Sequence, residues 1–175
     1  MVIAGGAWSA AFAEQLGVSI PIEPQRGQIL HLRPPHAETE GWPIVSAFRD
    51  HYMVAWPDQR VVAGATRETG SGFATGPTAG GVRETLDEAL RVAPGLAPAE
   101  IVEIRVGLRP LCADGLPVIG PIPGIAGVHL ATGHGANGLQ AGPYSGKLVA
   151  EVITEERPPA DLSPFDVVRL LRRSS

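Results

Sequence analysis

The 175 residues predict an α+β fold built around an antiparallel-rich mixed sheet, and three observations carry that prediction. Residues 42–66, WPIVSAFRDHYMVAWPDQRVVAGAT, place β-branched and aromatic residues in short runs broken by FRD and PDQR, the pattern of an antiparallel meander. In residues 101–110, IVEIRVGLRP, Val102, Ile104, Val106 and Leu108 alternate with Glu103, Arg105, Gly107 and Arg109, which gives a strand with one buried face. Strands come in successive runs with only a few helices between them, unlike a repeating βαβ fold.

In order along the chain, Val2–Ala4 read as a buried strand stopped by Gly5 and Gly6. A short helix follows over 7–16, and Gly17 closes it, because glycine takes the left-handed conformation of a helix end without a Cβ clash. Residues 20–34, IPIEPQRGQILHLRP, are extended chain. The clearest helix covers 79–93. Val82, Leu86, Ala89, Leu90 and Ala93 share one face, Arg83, Glu84, Asp87, Glu88 and Arg91 point outward, and Pro94-Gly95 ends it. GVHLAT, 127–132, is a further strand. A last helix spans 139–155 on an apolar stripe of Leu148, Val152 and Ile153, with Pro143 in its first turns as a point of bending or restart. The chain from Arg157 is proline-rich, then basic, and reads as a surface tail over 157–175.

Hydrophobic residues at 44% supply a core, and charged residues at 18% argue against disorder. A net charge of −4 lacks the basic footprint of a nucleic-acid partner. No apolar run reaches the roughly 18 residues that cross a bilayer, and the N-terminus lacks a signal-peptide pattern. Cys112 is the only cysteine, so neither an internal disulfide nor a thiolate metal cluster can form, which fits a cytoplasmic setting. No histidine or carboxylate stands at ligand spacing from His134, so a metal site is not expected there. The oligomeric state stays open, a homo-oligomer included.

GHGANG, 133–138, matches the glycine pattern G-x-G-x-x-G. A dinucleotide cradle also needs a helix, a second parallel strand and an acidic residue at that strand's end. Glu155 and Glu156 lie in the helix or its exit, and RPPADLSP follows where the strand belongs, so the NAD reading fails. Two readings of the glycines remain. They allow a tight strand-to-helix turn, or they present backbone N–H groups at a positive dipole end to an electron-rich ligand.

The order of the motifs adds more. VIAGGAWS (2–9), PQRGQ (24–28), VVAGATRET (61–69), GLRP (107–110), DGLPVIGPIPG (114–124), LATGHGANG (130–138) and GPYSGKLVAEVI (142–153) together resemble the C-terminal part of the D-amino-acid oxidase family of FAD-dependent oxidoreductases, close to glycine oxidase and the D-amino-acid dehydrogenases. The resemblance runs to about Ile153. In that family the dinucleotide fingerprint lies near the N-terminus, in a βαβ unit with no counterpart here. The resemblance therefore implies remnants of an FAD-binding domain at 1–20 and 111–156, a substrate domain at 21–110, and a missing N-terminal half as partner. For the whole protein it implies oxidation of a C–N bond in an amino acid or amine, with hydride transfer to flavin N5. The alternative is a non-enzymatic binding or assembly domain that has lost cofactor use.

The resemblance also implies roles for residues. The loop Gly133, His134, Gly135, Ala136, Asn137, Gly138 and Leu139 would cover the flavin's pyrimidine edge, and some amine-oxidising relatives carry arginine at the position of Ala136; Asn137, by residue type, reads as a cap of the following helix. Gly5, Gly6, Ala7 and Trp8 would approach the ADP portion of FAD; by pattern alone they read as ordinary strand–helix packing, with Trp8 a core residue. Arg109, which by pattern alone reads as a surface arginine in an ion pair, would bind the substrate carboxylate through its planar fork. Tyr52, otherwise a sheet tyrosine with its hydroxyl at the rim, would contact that carboxylate too. Arg26 faces either the flavin site or solvent, His51 is given no role, and no catalytic residue is assigned.

Overall fold

The computed structural model describes residues 1–154 and 160–171. In chain order the elements are β1 (Val2–Ile3), a 3-10 run (Gly6–Phe12) leading into α1 (Ala13–Leu16), β2 (Ile22–Arg33), β3 (Val45–Ser46), β4 (Tyr52–Trp56), β5 (Arg60–Gly64), α2 (Ala79–Val92), β6 (Glu100–Cys112), β7 (Val118–Pro121), β8 (His129–Thr132), α3 (Gly138–Ile153) and α4 (Val168–Leu171). This is the mixed α+β architecture read from the sequence. The chain divides into two compact units, one of Met1–Gln25 with the chain from Arg109 onward, the other of Arg26–Leu108.

The unit Arg26–Leu108 is built on a five-stranded sheet in the order β3-β4-β5-β2-β6. The expected meander is there: β4 pairs antiparallel with β5 from Tyr52↔Gly64 to Trp56↔Arg60, and β5 pairs antiparallel with β2 from Gly64↔Ile29 to Val61↔Leu32. One face carries the core of Leu30, Leu32, Met53, Val61, Ala63, Ala89 and Leu96, with Val82, Leu86 and Leu90 of α2 packed against it. Leu30 and Leu32 are essentially inaccessible, and burying each stabilises the fold by about 1.5–3 kcal/mol. Thr78 caps α2 by accepting from the Gly81 N–H. Its hydroxyl also accepts from Gln28 Nε2 at 2.9 Å, and Gln28 Nε2 donates to Glu68 at 2.6 Å. Arg26 closes this hub with two bonds to Glu68 at 2.9 and 2.6 Å, so its side chain is committed to a structural ion pair. Glu88, expected to point outward, is instead buried, because Arg49 and Arg91 both pair with its carboxylate.

The other unit holds a three-stranded sheet in the order β1-β8-β7. β1 runs parallel to β8 (Val2↔His129, Ile3↔Leu130), and β7 antiparallel to it (Val118↔Thr132 to Pro121↔His129). Ile3, Ile20, Ile22, Cys112, Val118, Ile122 and Leu130 form its core. The helix expected over 7–16 begins as a tighter 3-10 run, a common form for a helix N-terminus, and Gly17 closes it at φ 63° as expected. α3 continues unbroken through Pro143, its sixth residue.

The segment expected to be a surface tail is not one throughout. Val167 is buried in the core with Leu170 packed beside it, and Arg169 binds both oxygens of Asp114 at 2.7 and 3.0 Å. Residues 157–159 and 172–175 of that tail, together with Glu155 and Glu156, lie outside the described residues. Among the described residues no helix is long and apolar enough to cross a membrane.

Candidate functional site

The glycine loop leaves β8 through Gly133, which has φ +80° and is buried. A Cβ there would lie 2.9 Å from Ile22 Cδ1 and 3.2 Å from Cys112 Cβ. Gly133→Ala is therefore expected to destabilise the fold by about 1–3 kcal/mol, read as a lower urea midpoint at unchanged slope. Beyond His134 the chain winds at once into a 3-10 turn, Gly135–Asn137, that runs straight into α3. Asn137 does not cap the helix. At φ −92° and ψ 5° it is already part of the helical run, whereas a capping residue sits in extended backbone, and its side chain makes no capping bond.

The start of this helical run keeps backbone donors free of side-chain caps, and the first turn of α3 contains no acidic residue. The first N–H groups of a helix have no partner within it, and their dipoles add to a positive end. Nothing lies within 4 Å of where a Gly135 Cβ would be, and Leu139 is 97% exposed, so this end is uncovered. Burial holds the His134 imidazole below the ordinary histidine range and so neutral at physiological pH.

Gly6 is fastened beside this loop. The Thr132 hydroxyl donates to the Gly6 carbonyl at 3.1 Å and accepts from Ser9 at 2.8 Å. Gly6 itself has φ +55° with open space where a Cβ would point. Ala7 is buried and Trp8 is 56% exposed, so Trp8 is no core residue. The two glycine turns, Gly5–Gly6 and Gly133–Gly135, thus lie at the ends of the parallel neighbours β1 and β8. Gly6, Pro110, Thr132, His134 and Ser145 line a cavity of about 450 Å³ whose walls are mostly apolar.

Arg109 sits on the last stretch of β6, half-buried, with Pro110 next to it on that cavity. Leu111, two residues on and on the same strand face as Arg109, forms an antiparallel bridge with His134. Two residues of strand span about 7 Å and a bridge about 5 Å, so the Arg109 backbone lies within roughly 12 Å of the loop. The Arg109 backbone and the glycine loop thus belong to one neighbourhood.

Tyr52 belongs to the other unit. It stands opposite Gly64 in the register, and a Gly64 Cβ would come 3.3 Å from the Tyr52 hydroxyl and closer still to Ile29. The tyrosine lies across a position that only glycine leaves flat. Gly64→Ala is expected to tilt the ring and to cost about 1–2 kcal/mol, seen as altered near-UV tyrosine signal in a folded protein. His51 points the opposite way, buried, with Nε2 3.3 Å from Glu84.

The family model for FAD dependent oxidoreductases, DAO, matches residues 1–152. The chain belongs to this family. Its relatives include the uncharacterized oxidoreductase YurR of Bacillus subtilis strain 168, 40% identical over 167 residues, which are 95% of this chain and 45% of YurR. Glycine oxidase of Geobacillus kaustophilus is 34% identical over 97% of this chain and 44% of its own length. Among solved structures, iminodiacetate oxidase (IdaA) from Chelativorans sp. BNC1 superposes with a TM-score of 0.89 at 44% identity, covering 94% of this chain and 45% of that one. This DAO-family chain thus spans less than half the length of the curated relatives it matches. The FAD that the family uses fits the residues present. An uncapped, uncovered helix start flanked by glycine and alanine suits close approach by a flat, electron-rich ring.

Sequence reasoning had no hold on Ser9, Thr132 and Ser145, which fasten the two glycine turns and the imidazole. The one available signal was Ser145 inside a predicted helix, where serine typically bonds back to a carbonyl four residues earlier.

Proposed function

We propose that the chain is the C-terminal portion of an FAD-dependent oxidoreductase that oxidises a C–N bond of an amino acid or amine. The bridge between Leu111 and His134 carries this reading, because it sets the strand bearing Arg109 beside the amide-rich start of α3. When bound, flavin supplies the redox chemistry by accepting at N5 the hydride that leaves the substrate carbon. The rest falls to this chain's own side chains and backbone. Arg109 grips the substrate carboxylate with two parallel charge-assisted bonds, and its contribution is orientation. The N–H groups opening the helical run at Gly135 would hold the electron-rich ring and favour the negative charge that it gains on reduction. No base is required of the chain when the amine arrives neutral, since loss of hydride leaves an iminium ion that water hydrolyses.

By themselves the 175 residues neither retain FAD nor turn over substrate, because no βαβ unit with a pyrophosphate-binding glycine loop is among them. The test is desalting after incubation with FAD, followed by a visible spectrum, with and without a co-expressed N-terminal half taken from a relative. The assembly is expected to keep a stoichiometric yellow chromophore and the chain alone to lose it. A chain that stays yellow alone overturns the second statement, and an assembly that stays colourless overturns the cofactor reading.

A further inference from the structure

We propose that His134 and Ser145 form a fixed-tautomer pin that sets the position of the glycine loop's amides, and that His134 acts as a positioning residue. The Ser145 hydroxyl lies 3.0 Å from the Ala141 carbonyl and 2.8 Å from His134 Nε2, and Ser145 is 95% buried. A serine has one proton to give. The Ala141 carbonyl can only accept, so the serine proton goes there, along the back-bond that helix geometry offers. The 2.8 Å contact is then a hydrogen bond only if Nε2 carries hydrogen and donates to Ser145 Oγ. The imidazole is therefore the neutral Nε2–H tautomer, with a lone pair and no hydrogen on Nδ1.

This bond ties the loop to the second turn of the helix that the loop opens. The His134 carbonyl accepts from the Asn137 N–H at 3.0 Å, which starts the 3-10 turn, and Leu111 pairs with the same residue from β6. One residue thus receives three restraints: from the strand that bears Arg109, from the turn, and through its side chain from α3. The desolvation that keeps the imidazole neutral comes from the same packing, and no charged group contributes to it.

The inference rests on the flavin reading only for what the pinned amides meet; the pin itself is read without flavin. Nitrogen-15 NMR of the 175-residue chain at neutral pH is expected to show His134 with hydrogen on Nε2. Ser145→Ala is expected to speed exchange of the Asn137 amide, which is bonded to the His134 carbonyl, by about tenfold, the loss of one buried hydrogen bond. Ser145→Thr keeps the hydroxyl and is expected to restore slow exchange. His134→Gln, which retains a donor, is expected to exchange slowly, and His134→Phe quickly. This second pair keeps the comparison alive if Ser145→Ala does not fold. Hydrogen on Nδ1 in the parent chain, or equal loop exchange across the variants, overturns the pin. In the flavin-loaded assembly Ser145→Ala is expected to shift the visible flavin bands and lower the reduction potential. Loss of the pin with unchanged bands and potential overturns its link to the cofactor alone.

Discussion

Replacing Arg109 by leucine in the flavin-loaded assembly is expected to lower kcat/KM for amino acids by about 10²- to 10³-fold, the roughly 3–4 kcal/mol of a desolvated charge-assisted pair. The argument is geometric. Arg109 lies two residues before Leu111, which is joined to the loop at His134, so the backbone that bears the guanidinium is held close to the loop. Lysine keeps the charge but not the planar fork, and Arg109→Lys should fall between parent and leucine. Amines without a carboxylate supply the control, since their turnover should be the same in parent and Arg109→Leu. An equal loss for both substrate classes would mean that Arg109 holds the fold rather than the substrate.

What the sequence made legible of the fold follows from how local each signal is. α2 and β6 each carry one clean periodicity over ten residues or more, and the meander of β4 and β5 is bracketed by its own turns. β7 was not read as a strand. VIGP is four residues among prolines and glycines, and its extended state is fixed by pairing with β8. Glu88 deceived the helical wheel because two arginines, one from a separate loop, neutralise it in place. Local polarity cannot report a partner 39 residues away.

The site was legible through the order of motifs rather than through any spacing. GLRP and GHGANG are separated by a long connection, and the bridge at Leu111 makes them neighbours. The expected cap at Asn137 failed for a nearby reason: the 3-10 turn moves the effective helix start forward, past the residue that looked like a cap. The hydroxyls of Ser9, Thr132 and Ser145 act across turns and strands that a linear pattern does not relate. Sequence therefore identified the glycine loop, and tertiary structure identified what holds it.

The largest stability effect is expected at Arg169, in the part of the chain that looked least structured. Its guanidinium binds both oxygens of Asp114 and also donates to the Leu116 carbonyl at 2.9 Å and the Asp166 carbonyl at 3.0 Å. Both side chains of the pair are largely buried, and the arginine beside Asp114 holds its carboxyl well below the usual carboxylate range. Arg169→Ala leaves that carboxylate buried without its partner and is expected to cost about 3 kcal/mol at neutral pH, measured by urea denaturation. The pH dependence has a definite sign. A depressed folded pKa contributes stability that is complete above the unfolded value, near pH 4. That stability drains away as pH falls toward the folded value, because the unfolded chain takes up the proton first. The gap between parent and Arg169→Ala should therefore be constant from neutral pH down to about pH 4–5 and narrow below it. A gap that is absent at neutral pH would show that Val167 and Leu170 anchor this segment without the ion pair. A gap that persists undiminished in acid would show that the carbonyl contacts of Arg169, and not its bond to Asp114, fasten the segment to the core.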